Sequence, residues 1–199
     1  MNATHIIGID EVGRGPLAGP VAVGAVCMTL KAKSPQERIW MRGVKDSKQL
    51  TAEARGEWCR KIKAAEKRGE LRCAVTCVSS KVIDERGLSY AIRRALKASL
   101  RKLNVVPARS EVLLDGGLRA PGEFTLQKTI VKGDEKEPII ALASIVAKVT
   151  RDALMSRYAK KYPGYRFDLH KGYGTKLHYE EIMKNKLSLI HRKSFIKTG

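Results

Sequence analysis

Four acidic residues in this sequence could bind a divalent cation together. They stand where apolar runs typical of buried strands give way to glycine turns. Carboxylate oxygens are the ligands that Mg²⁺ prefers, and Mg²⁺ needs only a few of them because it keeps several waters. A solvated surface turn is the commoner origin of two adjacent acids, so the prediction depends on all four lying together. The acids are Asp10, Glu11, Asp115 and Asp134.

The charge balance indicates what such a site would face. The chain has 39 Lys and Arg against 20 Asp and Glu, a formal net charge of +19 at pH 7. This excess favours a polyanionic partner, and nucleic acid before a membrane, because no lipid-directed amphipathic segment is evident. Two divalent ions about 4 Å apart can activate a water and stabilise the leaving oxygen in phosphodiester hydrolysis. A protein that is merely basic is the alternative.

Two loops could contact phosphate beside these acids. In the first, Gly13-Arg14-Gly15 would bring backbone N–H groups close to a ligand and add one guanidinium. In the second, Asp46-Ser47-Lys48 precedes a helix that we expect to begin at Thr51 and could offer a hydroxyl and a lysine. A plain loop leading into a helix is the commoner interpretation of the second tripeptide.

The elements that must position these residues are a mixture of strands and helices. Apolar, β-prone runs predict strands, the second of them antiparallel to the first, and helical periodicity predicts three longer helices and a short one. A short turn is expected near Ser79 and Ser80. The strands are expected at residues 6–9, 21–30, 71–78, 111–114 and near 124–131, and the helices at 51–67, 88–103, 138–161 and 176–186.

The helix at 138–161 has a polar stripe on an otherwise apolar surface. Ser144, Lys148, Arg151 and Asp152 are spaced at i, i+4, i+7 and i+8. Buried polar groups need partners, and a polar cleft beside the helix would satisfy all four. An internal Lys–Asp pair with a structural role is the alternative.

The last part of the chain, from about residue 162, combines aromatic and basic residues. Exposed aromatics among Lys and Arg suit stacking on sugars or bases beside phosphate contacts. Packing is the commoner role of a single tyrosine in a glycine loop. At 199 residues we expect one domain, residues 1–199, with about 162–199 as a substrate-contacting appendage.

Cysteine usage and the lack of targeting signals favour a cytoplasmic protein. Cys27, Cys59, Cys73 and Cys77 follow no usual zinc spacing, which predicts reduced thiols, mostly in the core. No stretch has the pattern of a signal peptide, and no apolar run approaches the ~18 residues of a membrane span.

Seven stretches, taken in order, resemble the ribonuclease HII family, the bacterial type 2 ribonucleases H. They cover almost the whole chain, and the first and fifth are too long to match by chance. The stretches are GIDEVGRGP at 8–16, DSK at 46–48, LDG at 114–116, KGD at 132–134, ASIVAKVTRD at 143–152, HKGY at 170–173 and HRKSF at 191–195.

The resemblance implies a ribonuclease H-like α/β fold, with a mixed β-sheet flanked by helices and a small C-terminal helical region. It implies a metal-dependent endoribonuclease that hydrolyses the RNA strand of RNA–DNA hybrids and nicks duplex DNA 5′ to a single embedded ribonucleotide. The products would carry a 3′-hydroxyl and a 5′-phosphate, as in ribonucleotide excision repair. The cofactor would be Mg²⁺ or Mn²⁺, two ions with substrate bound, and we expect a monomer.

The resemblance also assigns residues to roles. The metal-binding and catalytic set would be Asp10, Glu11, Asp115 and Asp134. The ribose 2′-hydroxyl and the RNA–DNA junction would be recognised by Gly13, Arg14, Gly15 and Tyr173, consistent with the 2′-hydroxyl being the group that separates RNA from DNA. Backbone phosphates would be held by Lys48, Ser144 and Lys148.

The chain departs from the family pattern in two loops, and alternatives stay open. Gly117 stands where Asn is usual, and an expected Asn near Gly87 is missing. Asp152 on the polar stripe is a rival to Asp134 as the fourth ligand. A non-catalytic hybrid-binding module is a second interpretation of the whole protein, and a DNA-directed nuclease of the same superfold is a third.

Overall fold

A five-stranded mixed sheet forms the centre of the protein. The computed structural model describes residues 3–30, 41, 43–44 and 47–196, so the expected loop residue Asp46 lies outside the described residues. The strand order is β3-β2-β1-β4-β5. The first three strands pair antiparallel, and β1, β4 and β5 run parallel. The strands are β1 His5–Val12, β2 Val21–Thr29, β3 Leu71–Val78, β4 Ser110–Asp115 and β5 Leu126–Ile130.

Seven helices are described, and the three longest match the predicted ones closely. The N-cap of the first is Thr51, as predicted, and its hydroxyl accepts the Ala54 N–H. A seven-residue helix occupies the position where only a turn was expected after Ser79. The helices are α1 Ala52–Lys67, α2 Ser80–Arg86, α3 Leu88–Leu103, α4 Gly133–Lys136, α5 Pro138–Lys161, α6 Phe167–His170 and α7 Lys176–Asn185.

The helices cover the two faces of the sheet. One face packs against the apolar side of α3, which contacts β2 and β3 and joins Ile7 and Ile9 of β1 in one core cluster. The other face packs against α1 and α5. Because side chains alternate along a strand, neighbouring residues of β1 serve different faces.

Helix α5 lies unusually close to the sheet because two strand residues are glycine. A Cβ built on Gly8 would lie 2.3 Å from the Ile139 carbonyl oxygen, and one on Gly24 would lie 2.3 Å from that of Ala143. The backbone of α5 therefore rests on β1 and β2, which holds its N-terminal half beside the strand ends.

The C-terminal region packs against the second half of α5. Its apolar cluster includes Met155, Tyr165, Phe167 and Ile190. The expectation of exposed, stacking aromatics is wrong for Tyr165, which is buried and stacks on Phe167 with ring centroids 5.3 Å apart. Its hydroxyl donates to backbone carbonyls at the end of α7, so the ring serves packing.

Among the described residues, no helix is both long and apolar enough to span a bilayer.

Candidate active site

Two of the predicted acids meet because their strands are parallel neighbours. In the β1–β4 register Ile9 pairs with Leu114, so Asp10 and Asp115 follow side by side at the same edge of the sheet. Both project from the face that carries α5, as Gly8 and Leu113 do two residues earlier. The strand order thus brings together residues more than a hundred positions apart.

Asp134 reaches this pair through the turn after β5. Lys132 adopts the left-handed conformation, with φ of 55°, and the short helix α4 begins at Gly133. The Gly133 N–H donates to Asp115 Oδ1 over 2.7 Å. This bond fixes the start of α4 against β4, and Asp134 follows it into the site.

The three aspartates form a compact cluster in which the negative charges repel one another. One oxygen from each of Asp10, Asp115 and Asp134 can be chosen so that all lie within 4.8 Å of one another. Burial raises the pKa of Asp10 to about 8, the Ser144 hydroxyl opposes that shift, and the nearby carboxylates add to it. Asp10 and Asp134 are both buried.

Glu11 lines the same cleft but leaves β1 from the opposite face. It therefore stands outside the three-aspartate cluster. Its Oε1 accepts from the Arg14 guanidinium over 2.8 Å, while Oε2 is buried and has no hydrogen-bond partner in the described part of the chain. Burial raises the pKa of Glu11, and Arg14 counteracts this.

This donor set suits a hard divalent cation. All the groups are carboxylates, as Mg²⁺ and Mn²⁺ prefer, and a buried carboxylate oxygen without a partner is costly unless a cation or water meets it. Repulsion among three gathered carboxylates would also be relieved by a bound cation. The residues present therefore fit the metal that the sequence predicts.

A basic and hydroxylic edge borders the acids. Lys48 Nζ donates to Asp134 Oδ2 over 2.9 Å, although most of the lysine side chain is exposed. The hydroxyls of Ser47 and Ser144 are hydrogen-bonded at 2.7 Å. Lys48, Ser144 and Lys148 thus line the same cleft as Asp10 and Asp115.

The rival ligand Asp152 lies elsewhere. Its Oδ1 accepts from Lys148 Nζ over 2.9 Å, the internal Lys–Asp pair that was the alternative for the polar stripe. Among the described residues the acidic cluster contains Asp134 and not Asp152. Arg151 also departs from the predicted stripe, because it is fully buried and turned toward the loop after β1.

Two buried arginines hold that loop. Arg151 donates from its three side-chain nitrogens to the carbonyls of Ala18, Pro20 and Lys171, at 3.0 to 3.2 Å. Arg192 donates to the carbonyls of Gly13, Arg14 and Gly19, at 2.7 to 3.0 Å. Gly13 is required because its φ is 89° and a Cβ there would lie 2.3 Å from Arg151 Nε.

Tyr173 also lines the cleft and is 40% exposed. The ammonium of Lys148 and the guanidinium of Arg151 each lie 5.7 Å from its ring centroid. The preceding Gly172 carbonyl accepts the Leu17 N–H over 2.8 Å, which ties the tyrosine loop to the loop after β1. An exposed aromatic ring beside cations is suited to contact a sugar or a base.

Three buried histidines support the tyrosine loop from behind. His178 Nδ1 lies 2.9 Å from the Tyr173 carbonyl and must donate to it, so its Nε2 is the acceptor in the 3.1 Å contact with His191 Nε2. The Ser188 N–H donates to His191 Nδ1, which leaves Nε2 of His191 as the donor. His170 stacks on His178. Burial lowers the pKa values of His178 and His191 to about 4, in keeping with neutral rings.

The predicted site residues surround one cleft of about 240 Å³. All of them except Asp134 border it directly, and Asp134 adjoins it through its contacts with the other two aspartates and with Lys48. The cleft is lined by residues 10–15, Ser47, Lys48, Asp115, Ser144, Lys148 and Tyr173. A metal-binding floor, cationic side chains and an exposed ring together could hold a nucleic-acid strand.

Sequence reasoning missed the residues that support this cleft. Arg192 and His191 entered only as letters of a matching motif, and His178 not at all. No periodic pattern in the sequence marks these residues. The partners of Arg192, for example, are backbone carbonyls in a loop more than 170 residues earlier. A basic residue in a polar segment ordinarily predicts a solvated side chain.

Comparison with known proteins gives a consistent result. The family model described as Ribonuclease HII matches residues 7–198. A ribonuclease HII from Clostridioides difficile is 43% identical over 193 residues, covering 97% of this chain and 70% of that protein. A ribonuclease HII from Caldicellulosiruptor bescii is 42% identical over 192 residues, covering 96% of this chain and 86% of that one.

Solved structures agree with the fold. The ribonuclease HII in the PCNA:RNase HII complex from Archaeoglobus fulgidus superimposes with a TM-score of 0.71 at 26% identity. The match covers 98% of this chain and 96% of that one. The expected mixed sheet flanked by helices, of the ribonuclease H-like type, is confirmed.

Proposed function

The chain belongs to the ribonuclease HII family and is a ribonuclease H endonuclease acting on RNA–DNA hybrids, and from this premise we propose its finer activity. It nicks duplex DNA 5′ to a single embedded ribonucleotide, as well as cutting longer hybrids, and leaves a 3′-hydroxyl and a 5′-phosphate. Such a nick would begin ribonucleotide excision repair. The observation that carries this proposal is the meeting of the aspartate cluster and the Gly13–Gly15 loop in one cleft.

Asp10, Asp115 and Asp134 would hold the divalent ions, with Glu11 joining from the side. One oxygen of each aspartate lies within 4.8 Å of the others, and Glu11 Oε2 has no hydrogen-bond partner among the residues that the structure describes. Mg²⁺ or Mn²⁺ would supply, as a pair, an activated water and stabilisation of the leaving 3′-oxygen. The carboxylates would place the scissile phosphate close to the ends of β1 and β4.

Three polar side chains would place the backbone phosphates. Lys48 and Lys148 both line the cleft, and each is held by a carboxylate at 2.9 Å. Ser144 lines it too, with its hydroxyl bonded to Ser47. Cations beside an acidic floor allow a phosphate to approach the carboxylates that would otherwise repel it.

The ribose would be recognised by the glycine loop and Tyr173. Gly15 is exposed and leaves the backbone of the loop accessible, and Arg14 adds an exposed guanidinium that already contacts Glu11. The exposed Tyr173 ring, which lines the same cleft, would stack on the sugar at the RNA–DNA junction. A 2′-hydroxyl is both donor and acceptor, so backbone groups at the loop can distinguish ribose from deoxyribose.

The experiment is cleavage of a labelled DNA duplex that carries one ribonucleotide, with Mg²⁺, with Mn²⁺ and with EDTA. The control is the same duplex made entirely of DNA. We expect a single metal-dependent nick 5′ to the ribonucleotide and an intact control. Binding without cleavage in either metal would indicate a non-catalytic hybrid-binding protein. Cleavage of the control would indicate a DNA-directed nuclease and contradict the ribose-reading role of the loop.

A further inference from the structure

Arg192 is a fully buried cation that has no carboxylate partner among the described residues. Its Nε donates to the Gly19 carbonyl over 3.0 Å, its Nη1 to that of Arg14 over 2.8 Å and its Nη2 to that of Gly13 over 2.7 Å. Burying a charge is costly unless its hydrogen bonds are made. All of these bonds go to one loop.

The segment around Arg192 is itself fastened to that loop. The Arg192 N–H donates to the Leu17 carbonyl over 2.7 Å, and the Gly19 N–H donates to the Ile190 carbonyl over 2.8 Å. The guanidinium is thus placed by backbone bonds on both sides of its own residue. A short side chain or a shifted segment could not reach the same three carbonyls.

The carbonyl contacts determine which way the neighbouring N–H groups point. In a planar trans peptide the C=O of one residue and the N–H of the next point in opposite directions. Because the Gly13 and Arg14 carbonyls turn inward to Arg192, the N–H groups of Arg14 and Gly15 turn outward. Neither N–H donates a hydrogen bond to any described residue, and the space around the Gly15 α-carbon is open.

These two N–H groups belong to residues that line the cleft with Asp10 and Asp115. Adjacent outward N–H groups form a concave donor site for an oxygen of a ligand. On the proposed function, that oxygen belongs to the ribonucleotide, either its 2′-hydroxyl or the adjacent phosphate. Arg192, which lies outside the loop after β1, sets the direction of the Arg14 and Gly15 N–H groups.

We propose that Arg192 is a positioning residue for ribose recognition, which holds the peptide units of Gly13 and Arg14 so that the next two N–H groups face the cleft. This rests on the proposed function and deepens it. The geometry requires a fork of donors and not only a positive charge, because three separate carbonyls are held at once. Lysine, with one ammonium at the end of a flexible chain, cannot replace it.

The test compares Arg192→Lys and Arg192→Met with the wild-type protein. Two quantities are measured: kcat/KM on the single-ribonucleotide duplex, and Kd for the all-DNA duplex in EDTA. We expect both variants to lose at least ten-fold in kcat/KM, while the Kd for all-DNA changes less than two-fold. A role in charge alone would be rescued by Arg192→Lys, and wild-type kcat/KM in that variant would overturn the proposal.

The stability control is Ile62→Ala, which opens a cavity between α1 and the sheet, away from the cleft. At a temperature well below all the midpoints, this variant should keep wild-type kcat/KM even if it loses as much thermal stability. Parallel losses in kcat/KM and in all-DNA binding for Arg192→Lys would indicate general damage and overturn the proposal. Failure of the wild-type protein itself to nick would reject the proposed function instead.

Discussion

Two parts of the molecule differ in how their buried charges are hydrogen-bonded. The floor of the cleft consists of the four acids Asp10, Glu11, Asp115 and Asp134. The supporting wall consists of Arg151 and Arg192, which lie behind the loop after β1. On the floor, carboxylates gather with few donors, so the pKa of Asp10 rises to about 8 and Glu11 Oε2 has no partner among the described residues. In the wall, Arg151 and Arg192 are just as buried, but every side-chain nitrogen donates to a carbonyl.

This difference separates a binding surface from a scaffold. Buried charges that lack partners are costly, and a protein retains them where an external ligand completes them. Buried charges that are fully hydrogen-bonded define one conformation of the backbone around them. The floor is therefore suited to bind metal and phosphate, whereas the wall holds the loop after β1 in one conformation beside the floor.

The largest expected effect is on catalysis by the floor. Asp10→Asn keeps the shape of the residue but removes its charge. Since bound metals supply several kcal/mol of transition-state stabilisation, we expect the nicking rate to fall by more than ~1,000-fold. Binding of the same duplex, followed by fluorescence anisotropy, should be retained. Wild-type-like turnover by this variant would remove the metal-binding role of Asp10.

The next largest effect is on stability in the wall. Arg151→Met leaves three carbonyls without their donor, and the two buried ones, of Ala18 and Pro20, cost ~1–3 kcal/mol each, so the free energy of unfolding should fall by at least ~2 kcal/mol. For a chain of this size that lowers Tm by about 4–8 °C. Arg93→Met is the control, because Arg93 is exposed on α3 and surface substitutions usually change stability by less than about 0.5 kcal/mol. Equal Tm losses in the two variants would contradict the proposed division of roles.

A pH-dependent effect on stability follows from the raised pKa of Asp10 in the metal-free protein. The folded state favours the protonated carboxyl, so this stability is complete below pH 4 and is lost as the pH rises through about 8. In EDTA, wild-type Tm should fall relative to that of Asp10→Asn between pH 5 and pH 9. The other titratable groups are the same in both proteins, so their effect drops out of the difference in Tm. A difference in Tm that stays constant across this range would show that the carboxyl is not perturbed.

The smallest effect is expected from the rival acid. Asp152→Asn weakens only the pair with Lys148, and such i,i+4 pairs contribute ~0.3–0.5 kcal/mol, about a two-fold change in rate. Asp134→Asn, measured in the same assay, should instead lose nearly all activity. If Asp152→Asn were the inactive variant, the fourth ligand would have been assigned to the wrong element.

Much of the floor could be predicted from the sequence because its determinants are local. Apolar runs that end in Asp10 and Asp115 mark strand exits, and parallel pairing brings such exits to one edge of the sheet. The place of Asp134 was predicted at the exit of the next segment. Its approach to Asp10 and Asp115 depends on the hydrogen bond between the Gly133 N–H and Asp115. This is a long-range contact that local sequence patterns do not predict.

The wall could not be predicted in the same way. Arg151 was expected to face a cleft with its helical neighbours, but it turns inward because loop carbonyls compete for it as partners. The burial of Arg192 depends on a segment returning across the loop after β1, as the bridge between Ala18 and His191 shows. Periodicity describes which face of one element is apolar and carries no information about carbonyls in a distant loop.

The most direct measurement is an anomalous difference map from crystals of the protein soaked in Mn²⁺. We expect a Mn²⁺ peak within coordination distance of Asp10, Asp115 and Asp134, and its loss in Asp10→Asn crystals treated identically. Full Mn²⁺-dependent nicking in solution together with a peak only at other side chains would contradict the assignment of the aspartate cluster as the catalytic floor.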